Sequence, residues 1–172
     1  PKVMDPAFPA KVNEAEPLTG GIEFDGVTFR YPGSGRAALD AFSLTVPAGQ
    51  IVAIVGLNGA GKTTLIKLLC RLYDPEAGRI RIDGVDLREM AIESLRRRIT
   101  VLFQHPVHFN ATVAENIRFG VVDEKVSEAQ ARKAAEDAGA AAIIDRLPEG
   151  EATHLGKWFS NGVELSTGEW QR

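Results

Sequence analysis

The sequence predicts an α/β fold, and three consecutive features carry that expectation. Gln50 to Val55 is a β-branched apolar run of strand length, the pattern of a strand buried on both faces of a parallel sheet. It stops at a glycine-rich turn, Gly56 to Gly61. Directly after the turn, Thr64 to Leu72 carries Leu65, Ile66, Leu68, Leu69 and Leu72 at helical spacing. A strand feeding a helix through a tight turn is the repeating unit of sheets covered by helices.

A length of 172 residues with 44% hydrophobic content suits one domain with a real core. The formal charge of −3 and a pI of about 5.7 argue against a field that recruits nucleic acid or an anionic membrane surface. An anionic ligand must then be held locally. The single cysteine, Cys70, excludes an internal disulfide framework and a cysteine-rich metal site, fits a reducing cytosolic compartment, and is expected as a small core residue. No apolar run approaches the roughly 20 residues that span a bilayer, and no secretory signal pattern opens the chain. By itself the polypeptide is expected to be soluble.

Along the chain, Pro1, Pro6, Pro9 and Pro17 fix φ and remove donors, so residues 1–20 read as a linker. Ile22, Phe24, Val27 and Phe29 predict a strand that Tyr31-Pro32-Gly33 ends, and a second strand is expected around Ser43 to Val46. Beyond the strand, turn and helix of residues 50–72, Arg79 to Ile82 alternates as a strand and Asp83-Gly84 turns it. Ile92 to Arg98 reads as a helix and Ile99 to Phe103 as another strand. Thr112 to Phe119, Ser127 to Ala138 and Ala140 to Leu147 then read as the helices of a small subdomain, with Ser127 and Gln130 forming a capping box. Arg96-Arg97-Arg98 is expected on a solvated or ion-paired helix face, and His105 and His108 lack the companions of a zinc site.

Gly56-Leu57-Asn58-Gly59-Ala60-Gly61-Lys62-Thr63 satisfies G-x-x-x-x-G-K-[ST], in the strand-to-helix setting that motif requires. A polyphosphate needs many N–H donors converging on it, and glycines let the backbone wrap close because no Cβ obstructs it. The helix start adds free N–H groups and the positive end of its dipole. Lys62 then reaches the β- and γ-phosphates, the Thr63 hydroxyl is placed to bind Mg²⁺, and Thr64 can bond a phosphate oxygen nearer the base.

Three further segments stand beside this loop: Ile22 to Pro32 with Tyr31 near its end, Val101-Leu102-Phe103-Gln104, and Leu165-Ser166-Thr167-Gly168-Glu169 followed by Trp170-Gln171-Arg172. Together the four resemble the ATP-binding cassette family, over Gly21 to Arg172. The resemblance implies a P-loop NTPase, with a RecA-like core, an antiparallel β subdomain and a helical subdomain, the C-terminal part of the core being absent. It divides the chain into a linker from an upstream transmembrane region (1–20) and an incomplete nucleotide-binding domain (21–172). Within that domain it implies a core over 21–104, helices over 105–165 and a signature over 165–172.

The resemblance also implies roles. Tyr31 stacks on adenine, and Gln104 serves as the glutamine that binds Mg²⁺ and orients the attacking water, so that Lys62 and Gln104 are the candidate catalytic residues and Thr63 and Gln104 the candidate metal ligands. Leu165 to Glu169 resembles the signature L-S-G-G-Q, which caps ATP bound to a second nucleotide-binding domain in a head-to-tail dimer. Thr167 and Glu169 depart from it, placing a methyl and a negative charge near phosphates.

Phe109-Asn110-Ala111-Thr112-Val113-Ala114-Glu115-Asn116-Ile117 and Leu147 to Gly156 resemble exporters, in which the first stretch faces a transmembrane domain on the same or a partner chain. His154 and the lengthened stretch Lys157 to Asn161 depart from that pattern. The implied protein is an exporter ATPase at the cytoplasmic face of a membrane, using ATP and Mg²⁺ and no nucleic acid. The alternatives are a soluble cassette ATPase of DNA repair or translation and a non-hydrolysing ATP-binding regulator. After Gly150 no carboxylate ends an apolar strand, so these 172 residues alone are expected to bind nucleotide weakly and not to turn it over.

Overall fold

A computed structural model describes residues 17–103, 107–121 and 126–171. Gln104, His105, Arg172 and most of the expected 1–20 linker lie outside the described residues. The chain forms two compact units that meet in sequence between Thr100 and Val101.

The first unit is built on a four-stranded antiparallel sheet in the order β2-β1-β3-β4. Its strands are β1 (Ile22–Phe29), β2 (Leu39–Val46), β3 (Ala77–Ile82) and β4 (Val85–Asp86). Phe24 faces Leu44 on one side and Ile80 on the other, and Ile22 faces Val46 and Ile82. The register of both pairings shifts next to Gly26, whose φ is 58°. One extra residue in a strand reverses the alternation of its side chains. Phe24, Val27 and Phe29 therefore all face the core despite the odd step between the first two.

Helix α1 (Lys62–Leu69) contributes Leu65 and Leu68 to that core. Leu68 is fully buried, which stabilises the fold by about 1.5–3 kcal/mol relative to an exposed side chain. A 3₁₀ turn, Leu87–Glu89, and α2 (Ile92–Arg97) close the layer with Leu87 and Leu95. Asp83, at the turn after β3, accepts the N–H groups of Thr19, Gly20 and Gly21 on one oxygen and Arg98 on the other. These bonds fasten residues 19–21 to the sheet. Arg96 donates to the carbonyls of Cys70 and Arg71, so the arginine run makes internal contacts.

Two expected strands are corrected. Residues 50–55 and 99–103 pair with no strand among the described residues. A strand exists through its ladder, and without one the apolar side chains have no face to bury: Ile51 is 102% exposed and Val55 92%. Cys70 is half-buried rather than a core residue, and that burial raises its thiol pKa.

The second unit holds α3 (Val113–Arg118), α4 (Glu128–Asp137), α5 (Ala141–Ile144) and α6 (Thr167–Trp170). Val113, Ala135, Ile144 and Leu155 form its small core. An apolar cavity of about 400 Å³ borders that core. Capping boxes start α3 (Thr112 with Glu115), α4 (Ser127 with Gln130) and α6 (Ser166 with Glu169).

Candidate nucleotide site

The phosphate loop leads straight into α1, and its backbone is one that glycine alone takes without strain. Gly59 has φ 82° and Gly61 φ 89°. Gly61 is also hemmed in, since a Cβ there would lie 2.7 Å from the Ala38 carbonyl oxygen. The loop is thus held against the segment leading into β2 by a contact that no side chain permits.

No side chain caps the start of α1, and no acidic residue occupies its first turn. The first N–H groups and the positive end of the helix dipole are consequently left for an anion. Lys62 Nζ donates to the carbonyls of Gly56 at 2.7 Å and Leu57 at 2.8 Å, which draws a full positive charge over the loop. Leu57, Asn58, Gly59 and Ala60 are exposed, and Thr63 is exposed on the first turn of α1. The Ala60 N–H is bonded to the Leu57 carbonyl, so the positive groups left at this corner are the first N–H groups of α1 and the Lys62 ammonium. Thr63 is the one predicted magnesium ligand that the described residues include.

Tyr31 and the loop helix are brought together. The Tyr31 hydroxyl lies 3.1 Å from Thr64 Oγ1, and Thr64 is buried, so its hydroxyl is engaged with the tyrosine. The ring packs edge-on against Phe29 at 5.0 Å and Tyr73 at 5.5 Å, with Lys67 Nζ 5.2 Å from its centroid. Nothing in the sequence spacing indicates the Tyr31–Thr64 link.

In the second unit, Leu165 packs on the small core while Ser166, Thr167 and Gly168 are exposed. Glu169 Oε2 accepts from the Ser166 N–H at 2.9 Å and from its hydroxyl at 2.8 Å. Arg146 Nη2 donates to Oε1 at 3.0 Å. The bonds from Ser166, and then the charge of Arg146, hold the Glu169 carboxyl below the usual range. Arg146 lies 23 residues before Glu169, beyond any helical or strand repeat, and no sequence pattern marks it.

The exporter-like stretch is also organised. Asn116 Nδ2 donates to the carbonyls of Phe109 and Thr112, and Phe109 packs on Phe119 at 4.8 Å with both rings exposed. Leu155 N–H bonds the Ala111 carbonyl, and Leu155 bridges to Val163. The approach to the signature therefore lies against the start of α3, and the lengthened loop between those contacts carries Trp158 at 88% exposure.

The comparisons with known proteins agree with one another. The sequence model described as ABC transporter matches residues 39–172. The chain is 45% identical over 154 residues to an ATP-dependent lipid A-core flippase of Ralstonia nicotianae, covering 89% of this chain and 26% of that protein. It is 48% identical over 159 residues to the Beta-(1-->2)glucan export ATP-binding/permease protein NdvA of Bradyrhizobium diazoefficiens, covering 92% of this chain and 25% of that protein. Among solved structures, a bacterial Atm1-family ABC exporter with ATP bound is 41% identical with a TM-score of 0.76, over 92% of this chain and 27% of that one. The chain thus spans about a quarter of the length of the relatives it matches. A match to that family over residues 39–172, together with relatives and a solved structure of the same kind at 41–48% identity, shows that the chain belongs to the ABC transporter family.

Proposed function

We propose that this chain is the nucleotide-binding part of an ABC exporter and grips MgATP at Gly56 to Thr64, in a polypeptide that couples ATP hydrolysis to export across a membrane. The observation that carries the reading is the loop itself: glycine-only backbone angles, an uncapped helix start and the Lys62 ammonium at its mouth. Lys62 turns from the loop carbonyls to the β- and γ-phosphates, exchanging neutral acceptors for charged ones. Thr63 holds Mg²⁺, which supplies charge neutralisation when bound. Tyr31 gives adenine an aromatic face, and the Thr64 hydroxyl fixes that ring against the loop helix.

Gln104 completes the metal site and orients water, and Leu165 to Glu169 meets ATP on a second nucleotide-binding domain arranged head to tail. The first 20 residues link to a transmembrane domain, and the chain works at the cytoplasmic face. Relatives named as a flippase and as a glucan export protein support export over the soluble alternatives.

Titration with labelled ATP in the presence of magnesium tests the reading. Saturable binding is expected, weakened about ten- to a hundredfold by Lys62→Ala, the span of one or two hydrogen bonds to a charged group. Binding indifferent to that substitution would remove the basis of the proposal.

A further inference from the structure

Glu169 departs from the glutamine of the signature that this segment resembles, and a carboxylate beside a phosphate is repelled by it. The cap itself does not need the charge. In α4 the neutral amide of Gln130 makes the same reciprocal bonds, accepting the Ser127 N–H at 2.9 Å and its hydroxyl at 2.8 Å. What distinguishes the Glu169 box is Arg146, whose Nη2 reaches Oε1 while its Nε donates to the Ala142 carbonyl at 3.2 Å. The guanidinium is thus anchored on α5 and aimed at the one cap of the second unit that follows a departure in charge.

We propose that Arg146 is a positioning residue that cancels the charge of Glu169, so that the pair together takes the place of a neutral glutamine and lets the exposed turn Ser166 to Gly168 approach an anionic phosphate. This rests on the reading that the turn meets nucleotide held by a second copy of the domain. Arg146 acts through Glu169 and not by touching nucleotide, since both of its bonds point into its own chain. Its side chain is 68% exposed, so its part in folding is small and its part in local charge is the larger.

ATP turnover as a function of ATP concentration, measured on the full-length protein in lipid bilayers, separates the possibilities. Arg146→Ala is expected to raise KM for ATP about two- to fivefold with kcat little changed, the range a solvent-accessible ion pair commands. Arg146→Lys, which keeps the charge, should stay near wild type. Glu169→Gln added to Arg146→Ala should restore KM, because the charge in need of cancelling is gone. An arginine that merely ties α5 to α6 predicts the opposite: the second substitution would repair nothing. An unchanged KM in Arg146→Ala, or a double variant with the KM of Arg146→Ala, overturns the proposal. Labelled-ATP binding that depends on Lys62 is measured alongside. If it is present in every variant, failure belongs to this inference alone, and if the wild-type protein lacks it, the reading beneath falls and takes this one with it.

Discussion

Asp83 is one carboxylate that gathers three backbone N–H groups and an arginine. Bonds from Gly20 and Gly21, then from Arg98 and Thr19, hold its pKa down to about 2 from an ordinary 3.8. A group whose folded pKa lies below its unfolded one stabilises the fold above the unfolded value, and that contribution is lost as pH falls through the folded one. The anchor should therefore be fully effective above about pH 4 and vanish toward pH 2. Asp83→Asn is expected to melt at a lower temperature at pH 7 and to show a shallower loss of stability between those pH values. Thermal unfolding followed by circular dichroism at several pH values would show it, and parallel curves for the two proteins would contradict it. The sequence marks Asp83-Gly84 as a turn but does not show what the carboxylate holds, because its backbone partners lie 62 to 64 residues away and Arg98 lies 15 away. The phosphate-loop pattern is legible for the converse reason: all of it is written in eight adjacent residues, Gly56 to Thr63.

Elements were legible where their signals are local. The uneven spacing of Phe24, Val27 and Phe29 falls within a predicted strand, and the shift of register at Gly26 accommodates it. Ser127 and Gln130 were legible as a cap because both ends of that exchange lie within four residues. The helices of the second unit are short, with four to ten residues each, and lengths of that order are marginal without tertiary support and good ends. Ser127→Ala removes the acceptor for the Gln130 N–H and should cost about 1 kcal/mol, while Ser127→Asp should retain most of it. Urea denaturation monitored by helical circular dichroism gives the comparison, and equal midpoints for Ser127→Ala and wild type would show that the cap adds nothing. The strands expected over 50–55 and 99–103 failed for a different reason. Apolar content says that a segment has a reason to be buried, but only a neighbour with free N–H and C=O groups makes it a strand.

At the scale of the whole molecule, those two segments and Leu57 beside the first carry exposed apolar surface on backbone without a strand partner. Ile51, Val55 and Leu57 in the first unit, and Leu102 and Phe103 in the second, all stand more than half exposed. The corresponding backbone pairs with no strand among the described residues. Exposed β-branched residues on unpaired backbone form a template for another strand, and charged side chains are what blunt such edges in soluble proteins. None of residues 50–57 is charged. The 172-residue chain studied by itself should accordingly bind a hydrophobic dye and sediment faster as its concentration rises. Replacing Ile51 and Val55 together by lysine puts two like charges on the segment and should reduce both effects. The melting of the β1–β2–β3 sheet should be left in place, since neither residue belongs to the core that Phe24, Val27 and Leu68 build. Sedimentation independent of concentration in the wild-type chain would mean that the segment finds cover within its own molecule, whereas association untouched by the two lysines would place the adhesive surface at the other exposed apolar residues, such as Leu102, Phe103 and Trp158.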